Sequence, residues 1–162
     1  MKLSPVAAVA LLLPSALNAQ TATTSAAPSA QAMPDLSTAT PLTGQWVYSS
    51  SSGGSAAVFT DESARPQLTI RCTRLSRQVT IAKPATAASP TLNVWTATQV
   101  RSLPASFDAA TQQLSVSLAA FDPSLDAIAY SRGRLGIGLA GAAPLVVPAW
   151  ADVARVVEDC RV

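Results

Sequence analysis

The side chains of this chain that can do acid–base chemistry are its nine carboxylates and two lysines, because the 162-residue sequence contains no histidine. Without an imidazole, a nucleophilic serine needs a lysine or a carboxylate as its base. Lys83 is the lysine that remains after the predicted removal of residues 1–19, and it lies in a predicted Lys83-Pro84 turn. The serine-rich tract 49–55 therefore lacks a conventional catalytic partner and instead indicates a flexible hairpin loop.

Several of the carboxylates have a structural explanation. Asp122 precedes Pro123 in the pattern of a helix N-cap. Asp61 and Glu62 lie in a predicted turn, where adjacent side chains point apart, and the acids near residue 160 fall on the solvated side of a predicted helix. Two cysteines are too few for a four-thiolate zinc site, and no acid pair is singled out. We therefore predict no catalytic residue, no metal site and no cofactor.

Arginine is the residue type best suited to binding, with nine residues in the chain. Its planar fork matches carboxylates and phosphates, although scattered arginines more often only solubilise a surface. Trp95 is a second candidate, since strand parity turns it away from Leu92 and Val94. The favoured alternative is burial beneath a cover such as the C-terminal helix, and the other is an exposed contact surface. The candidate contact surface consists of Trp95, Arg71, Arg74, Arg132 and Arg134.

Period-two alternation of apolar and polar residues predicts that β-strands position these side chains. In 67–72, Leu68, Ile70 and Cys72 share one face, whereas Gln67 and Arg71 occupy the other. Turn signals containing glycine, proline and aspartate separate such segments. The predicted strands are 45–49, 67–72, 78–82, 91–97, 113–118 and 135–139.

A short helix is predicted over 123–132, between the Asp122 cap and Gly133, which suits a left-handed helix end. The strand that follows carries Gly136 and Gly138 on its outer face. These glycines leave that face bare, so we expect another backbone or a ligand to approach it closely.

A C-terminal helix is predicted after Pro148. Trp150, Val153, Val157 and Cys160 recur at spacings of three and four residues and form one stripe. We expect this stripe to pack on the sheet and to bury Trp150.

These elements predict a mainly β (α+β) protein. The architecture is an antiparallel β-sandwich or a small barrel, with one short helix and a C-terminal helix packed on the sheet. The expected domain covers residues 44–162, a length that suits one hydrophobic core.

The N-terminal residues have the pattern of an export signal. Lys2 precedes an apolar run from Val6 to Leu13, and small residues near Ala19 predict cleavage before Gln20. The run is too short for a transmembrane span of about 20 residues, so we expect no stable membrane anchor. Residues 20–43 are rich in Ala, Thr, Ser and Pro and predict a disordered leader. The expected location is the periplasm or the exterior.

Cys72 and Cys160 both fall on the core-facing sides of their predicted elements. In an exported chain, such a pair is most simply a structural disulfide. A redox-active pair is the alternative, but it usually needs close spacing or a helix N-terminus that lowers the pKa of a thiol.

The order of elements resembles small exported β-sandwich proteins of proteobacteria, of the invasion-associated locus B type and the type VI secretion accessory type. The resemblance rests on the Trp46 strand, the segments 68–72 and 92–94, and a terminal helix that ends at Cys160. It implies an envelope protein without catalytic activity, and it transfers no functional residue to this chain.

The expected function is that of an exported accessory or inhibitor-like protein that binds an envelope protein or an anionic polymer. Loss of Lys2 lowers the net charge from +2 to +1, which argues against nucleic acid as a partner. A carrier of a small apolar ligand or lipid is the first alternative, and a carboxylate-based hydrolase is the second.

Overall fold

The computed structural model describes residues 35–139 and 142–162. Within these ranges the chain forms ten β-strands and two α-helices. In chain order they are β1 (Gly44–Ser51), β2 (Gly54–Asp61), β3 (Pro66–Thr73), β4 (Gln78–Pro84), β5 (Thr91–Trp95), β6 (Val100–Pro104), β7 (Ser106–Asp108), β8 (Gln113–Ala119), α1 (Pro123–Ala129), β9 (Arg134–Leu139), β10 (Leu145–Pro148) and α2 (Ala151–Asp159).

The first sheet is antiparallel, with the strand order β1-β2-β3-β4-β8-β7. Ile70 pairs with Ile81, and Ile81 pairs with Val116, so a row of buried aliphatic side chains crosses three strands. The alternation predicted for 67–72 is present, because Leu68, Ile70 and Cys72 are buried and Arg71 is exposed. The inner face of this sheet supplies much of the core.

The second sheet has the order β10-β9-β5-β6 and is also antiparallel. The chain leaves the first sheet after β4, forms β5 and β6, and returns through β7. Leu92, Val94, Leu135 and Ile137 on β5 and β9 are buried in the same core cluster as the inner face of the first sheet. The prediction of a mainly β architecture with a C-terminal helix is confirmed, in its two-sheet form.

Four strands are additional to the predicted ones: β2, β6, β7 and β10. β2 is a central strand in which Gly54, Ser55, Ala56 and Ala57 are all buried, so no polar alternation marks it. Part of the tract 49–55, predicted as a loop, lies in β1 and β2 on either side of a tight turn. Lys83 is also placed wrongly by the sequence pattern, because it lies within β4 and pairs with Leu114.

Helix α1 begins as predicted, with Asp122 accepting a hydrogen bond of 2.8 Å from the backbone N–H of Ser124. Gly133 adopts the predicted left-handed conformation, with φ +76°. The predicted end at Arg132 is wrong, because α1 stops at Ala129 and the Ser131 side chain bonds to neighbouring loops instead.

Helix α2 packs on β2 and β3 through Val153, Val156 and Val157, which are buried. The predicted burial of Trp150 is wrong, since its side chain is 45% exposed. Trp150 precedes the first turn of the helix with an extended backbone, so its side chain leaves the helical stripe. Instead Trp46 on β1 supplies the buried indole, and its Nε1 donates 2.8 Å to the Pro148 carbonyl.

The predicted disulfide between Cys72 and Cys160 is confirmed and joins β3 to the end of α2. Within the described ranges, neither helix is long and apolar enough to cross a membrane. The predicted signal at 1–19 lies outside the described residues, as does most of the leader predicted over 20–43. Residues 35–43 of that leader are described and contact the second sheet.

Candidate functional site: an arginine cleft on the second sheet

A cleft of about 370 Å³ lies where the end of β5, the turn before β9 and the segment 35–37 meet. We call it the arginine cleft. It brings together three of the five candidate contact residues that the sequence pattern predicts. Its lining consists of Asp35, Leu36, Ser37, Trp95, Thr96, Ala97, Arg132 and Arg134.

The turn that presents the two arginines depends on Gly133. A β-carbon at this position would meet no atom within 4 Å, so the left-handed φ, rather than lack of space, favours glycine. The backbone N–H of Arg134 donates 2.9 Å to the Arg132 carbonyl, which tightens the turn. As a result Arg132 is exposed, whereas Arg134 is half-buried.

Ser131 fixes the two walls of the cleft to each other. It is 7% exposed, and its hydroxyl donates 2.6 Å to the Arg134 carbonyl and accepts 3.0 Å from the Ala97 N–H. The Ala97 wall is itself a turn, in which Thr96 Oγ1 accepts 3.0 Å from the Gln99 N–H. Satisfied buried hydroxyls of this kind hold a binding surface in one geometry.

Trp95 forms the floor of the cleft. Its side chain is 2% exposed, so the buried alternative is the observed one, and its indole is not an exposed contact surface. A β-carbon added at Gly136 would lie 3.2 Å from Trp95 Cε3 and 3.2 Å from Leu36 Cδ2. The bare face of β9 is therefore approached closely, but by the Leu36 and Trp95 side chains rather than by the predicted backbone or ligand.

The charged groups of the cleft differ in how many hydrogen-bond partners they have. Arg134 Nη1 donates 3.0 Å to the Ser37 carbonyl, while its Nε is buried without a hydrogen-bond partner among the described residues. Within the described part of the chain, neither Arg132 nor Arg134 forms a salt bridge. Hydrogen bonds from the Ser37 hydroxyl, the Ser37 N–H and Thr38 lower the pKa of Asp35, and the charge of Arg134 adds to them. The two arginines of the cleft therefore carry positive charge that no salt bridge of the described residues pairs and that can attract an anion.

The other two candidate residues, Arg71 and Arg74, do not join the arginine cleft. Arg71 is exposed on the outer face of β3, where it pairs with Thr80 across the sheet. Arg74 lies in the turn after β3, and its N–H donates 3.0 Å to the Gly53 carbonyl. The predicted contact surface is therefore divided between the two sheets.

A polar cluster between β1 and α2 lies outside the arginine cleft and has no counterpart among the predicted contact residues. Tyr48 on β1 donates 2.6 Å to Asp159 Oδ2, and the guanidinium of Arg155 lies 4.0 Å from the Tyr48 ring centroid. The Tyr48 hydrogen bond is the largest of the causes that lower the pKa of Asp159, with Arg155 and Arg74 adding positive charge. This cluster ties α2 to β1, and no local signal reveals it because its partners lie far apart in the chain.

Three further carboxylates are engaged in structural contacts. Backbone hydrogen bonds of its own turn lower the pKa of Asp61, and hydrogen bonds from the Thr111 hydroxyl and the Ala110 N–H lower the pKa of Asp108. Asp126 on α1 pairs with Arg161 at 2.8 Å. Burial lowers the pKa of Lys83, but the cleft beside this lysine is lined by no serine of the described chain. No group of three metal-ligating side chains occurs in the described ranges.

Comparisons of the chain with protein-family models, with curated proteins and with solved structures found no match. The resemblance to exported envelope proteins therefore remains an expectation from the order of elements. Chemistry at the arginine cleft is the remaining basis for a functional proposal.

Proposed function

We propose that this protein is an exported, non-catalytic domain of the cell envelope that binds a partner protein through the arginine cleft. The observation that carries the proposal is the convergence of Arg132 and Arg134, on either side of Gly133, above the Trp95 floor. A rigid rim with an unpaired cation and a closed aromatic floor suits recognition by shape and charge.

The partner's contribution is a carboxylate on its surface. A guanidinium matches a carboxylate in a planar, two-pronged geometry, and Arg132 has no acidic partner among the described residues. Arg134, on the other side of Gly133, adds a second positive charge to the cleft, although its buried Nε is out of reach of a ligand.

The Cys72–Cys160 disulfide supports a location outside the cytoplasm, because such bonds persist in oxidising compartments. The predicted signal at 1–19 supports export to the periplasm or beyond. Asp61, Asp108 and Asp122 serve turns and a helix cap, which supports a binding role over carboxylate catalysis.

Affinity capture tests the proposal. The chain from residue 20 onward is immobilised and exposed to periplasmic extract, in parallel with Arg132→Glu and with Arg101→Glu as a matched control. Arg101 is exposed on β6 and outside the cleft lining, so its variant changes the net charge equally. We expect the wild type and Arg101→Glu to retain the same envelope protein, and Arg132→Glu to lose it.

Two outcomes would contradict the proposal. Equal retention by all three chains would place the contact elsewhere on the molecule. Retention of an anionic polysaccharide or a lipid, with no accompanying protein, would show that the partner class is wrong.

A further inference from the structure

Residues 35–42 lie along the outer face of the second sheet. The Leu36 side chain sits over Gly136 beside Trp95, and the Ser37 carbonyl accepts the hydrogen bond from Arg134 Nη1. Farther along, the Leu42 N–H donates 2.7 Å to the Val146 carbonyl on β10. The segment thus contacts, in turn, the apolar site at Gly136, the Arg134 guanidinium and the edge of β10.

The strand edge is the more general of these sites. In its sheet, β10 pairs with β9 on one side and lies at the edge on the other. Val146 and Val147 are buried, and the Pro148 carbonyl already accepts from Trp46 Nε1. A peptide would therefore pair with this edge at the Val146 carbonyl, in place of Leu42. The bond that Leu42 makes there shows that the edge accepts a neighbouring backbone.

The segment contributes little else to the domain. Asp35, Ser37, Thr38 and Thr40 are exposed, and the Asp35 carboxylate accepts its hydrogen bonds from Ser37 and Thr38 within the same turn. Leu42 is 38% exposed despite its backbone contact. A segment with so few contacts to the sheet is readily exchanged for a competitor.

We propose that the arginine cleft and the β10 edge form one groove for a partner peptide that carries an acidic residue followed by an aliphatic one, and that residues 35–42 occupy this groove until the partner displaces them. The proposal rests on the proposed function and names the chemistry of the partner. Charge complementarity supports it, because Arg132 is free to meet the partner's carboxylate while the internal segment bonds its own carboxylate locally.

A displacement experiment tests the groove. The probe is a fluorescent peptide with the sequence of residues 33–43, added to the chain from residue 20 onward and followed by anisotropy. Leu36→Ala in the protein weakens the internal competitor and raises the fraction of open grooves. Since the apparent Kd is the intrinsic Kd divided by that fraction, we expect the variant to bind the peptide about 10-fold more tightly than the wild type.

Two controls make the result specific. Leu75→Ala changes a leucine that is 98% exposed in the turn between β3 and β4, and should bind the peptide as the wild type does. A peptide carrying Asp35→Asn should bind about threefold more weakly, since it lacks the negative charge that lies near Arg134.

The inference is overturned if the peptide fails to bind the Leu36→Ala protein, if that variant binds no better than the wild type, or if the Asp35→Asn peptide binds equally well. These failures are distinguishable from failure of the proposed function. Arg132-dependent capture of an envelope protein alongside any of them would leave the proposed function standing and remove only the peptide groove.

Discussion

The Trp95 indole faces away from the core of the sandwich and is nevertheless 2% exposed, because Leu36 and the bare backbone of Gly136 lie against it. Side chains alternate between the two faces of a strand, so the sequence alone predicts which way this indole points. It does not predict the cover, because Leu36 belongs to a segment whose composition indicates disorder.

At the same scale, Tyr48 and Asp159 predict an acid-sensitive contribution to stability. The Tyr48 hydroxyl donates to the carboxylate at 2.6 Å and holds the pKa of Asp159 below its ordinary value. A carboxyl group with a lowered folded-state pKa stabilises the fold above its unfolded pKa, and this stabilisation is lost as the pH falls through the folded value. We expect Tyr48→Phe to lower the free energy of unfolding by about 1–2 kcal/mol at pH 7, as for a hydrogen bond to a charged group.

Urea unfolding of the wild type and Tyr48→Phe between pH 2 and pH 7 measures this contribution. The difference between the two proteins should be constant near neutrality and shrink below about pH 4, near the reference pKa of aspartate. Asp159→Asn provides the control, because it should remove the pH dependence of the difference. If the difference in free energy of unfolding between the wild type and Tyr48→Phe is unchanged at pH 2, Asp159 does not supply that difference.

At the scale of elements, the sequence predicts strands where one face is apolar and the other is polar. β3 satisfies this condition, with Leu68 and Ile70 inward and Arg71 outward. β2 does not, because its own glycine, serine and alanine residues are buried on both faces. β6 does not either, because it is exposed over most of its length. Their strand character comes from pairing with neighbours, which a local pattern does not contain.

The candidate site likewise contains residues that the sequence predicts and contacts that it does not. Arg132 and Arg134 are predictable because one left-handed glycine between them gives both a common turn. The Tyr48–Asp159 contact joins β1 to α2 across most of the chain and follows only from the tertiary fold. Similarly, the Arg155 guanidinium lies over the Tyr48 ring, a contact between α2 and β1 that no local pattern contains.

The turn between β1 and β2 supplies a prediction about an element. Gly54 has φ +147°, and a β-carbon there would clash with the Cys72 carbonyl oxygen on β3. Both the backbone conformation and the central position of β2 therefore require glycine. We expect Gly54→Ala to lower the free energy of unfolding by about 2–3 kcal/mol, the range for a strained and overpacked position.

Gly53→Ala is the matched control, because its added β-carbon would have Ser51 Oγ, at 3.9 Å, as its nearest neighbour. Its urea midpoint should lie close to that of the wild type. Equal midpoints for the two variants would mean that the turn relaxes freely and that β2 tolerates a shift against β3.

At the scale of the whole molecule, the two sheets and two helices surround one core. The ends of the described chain differ in how many contacts hold them to it. Trp46 and Tyr48 on β1 bond to Pro148 and Asp159, near the other end of the chain. In contrast, residues 35–42 rest on the second sheet through few contacts. The firmly held part is therefore the sandwich with α2, and the part held by few contacts lies beside the arginine cleft.

The Cys72–Cys160 disulfide fastens this sandwich across a sequence separation of 88 residues, with its Cα atoms 5.4 Å apart. In the chain-entropy model, closing a loop of this length destabilises the unfolded chain by about 4–5 kcal/mol. Replacing both cysteines with alanine should lower the free energy of unfolding by roughly that amount, measured by urea titration, and should raise the m-value because the unlinked chain unfolds to a more expanded state. Reduction of the wild type should reproduce the loss, because both treatments open the same loop. If the double variant unfolded at the wild-type midpoint, the hydrogen bonds from β1 and the packing of α2 would already fasten the sandwich without the covalent link.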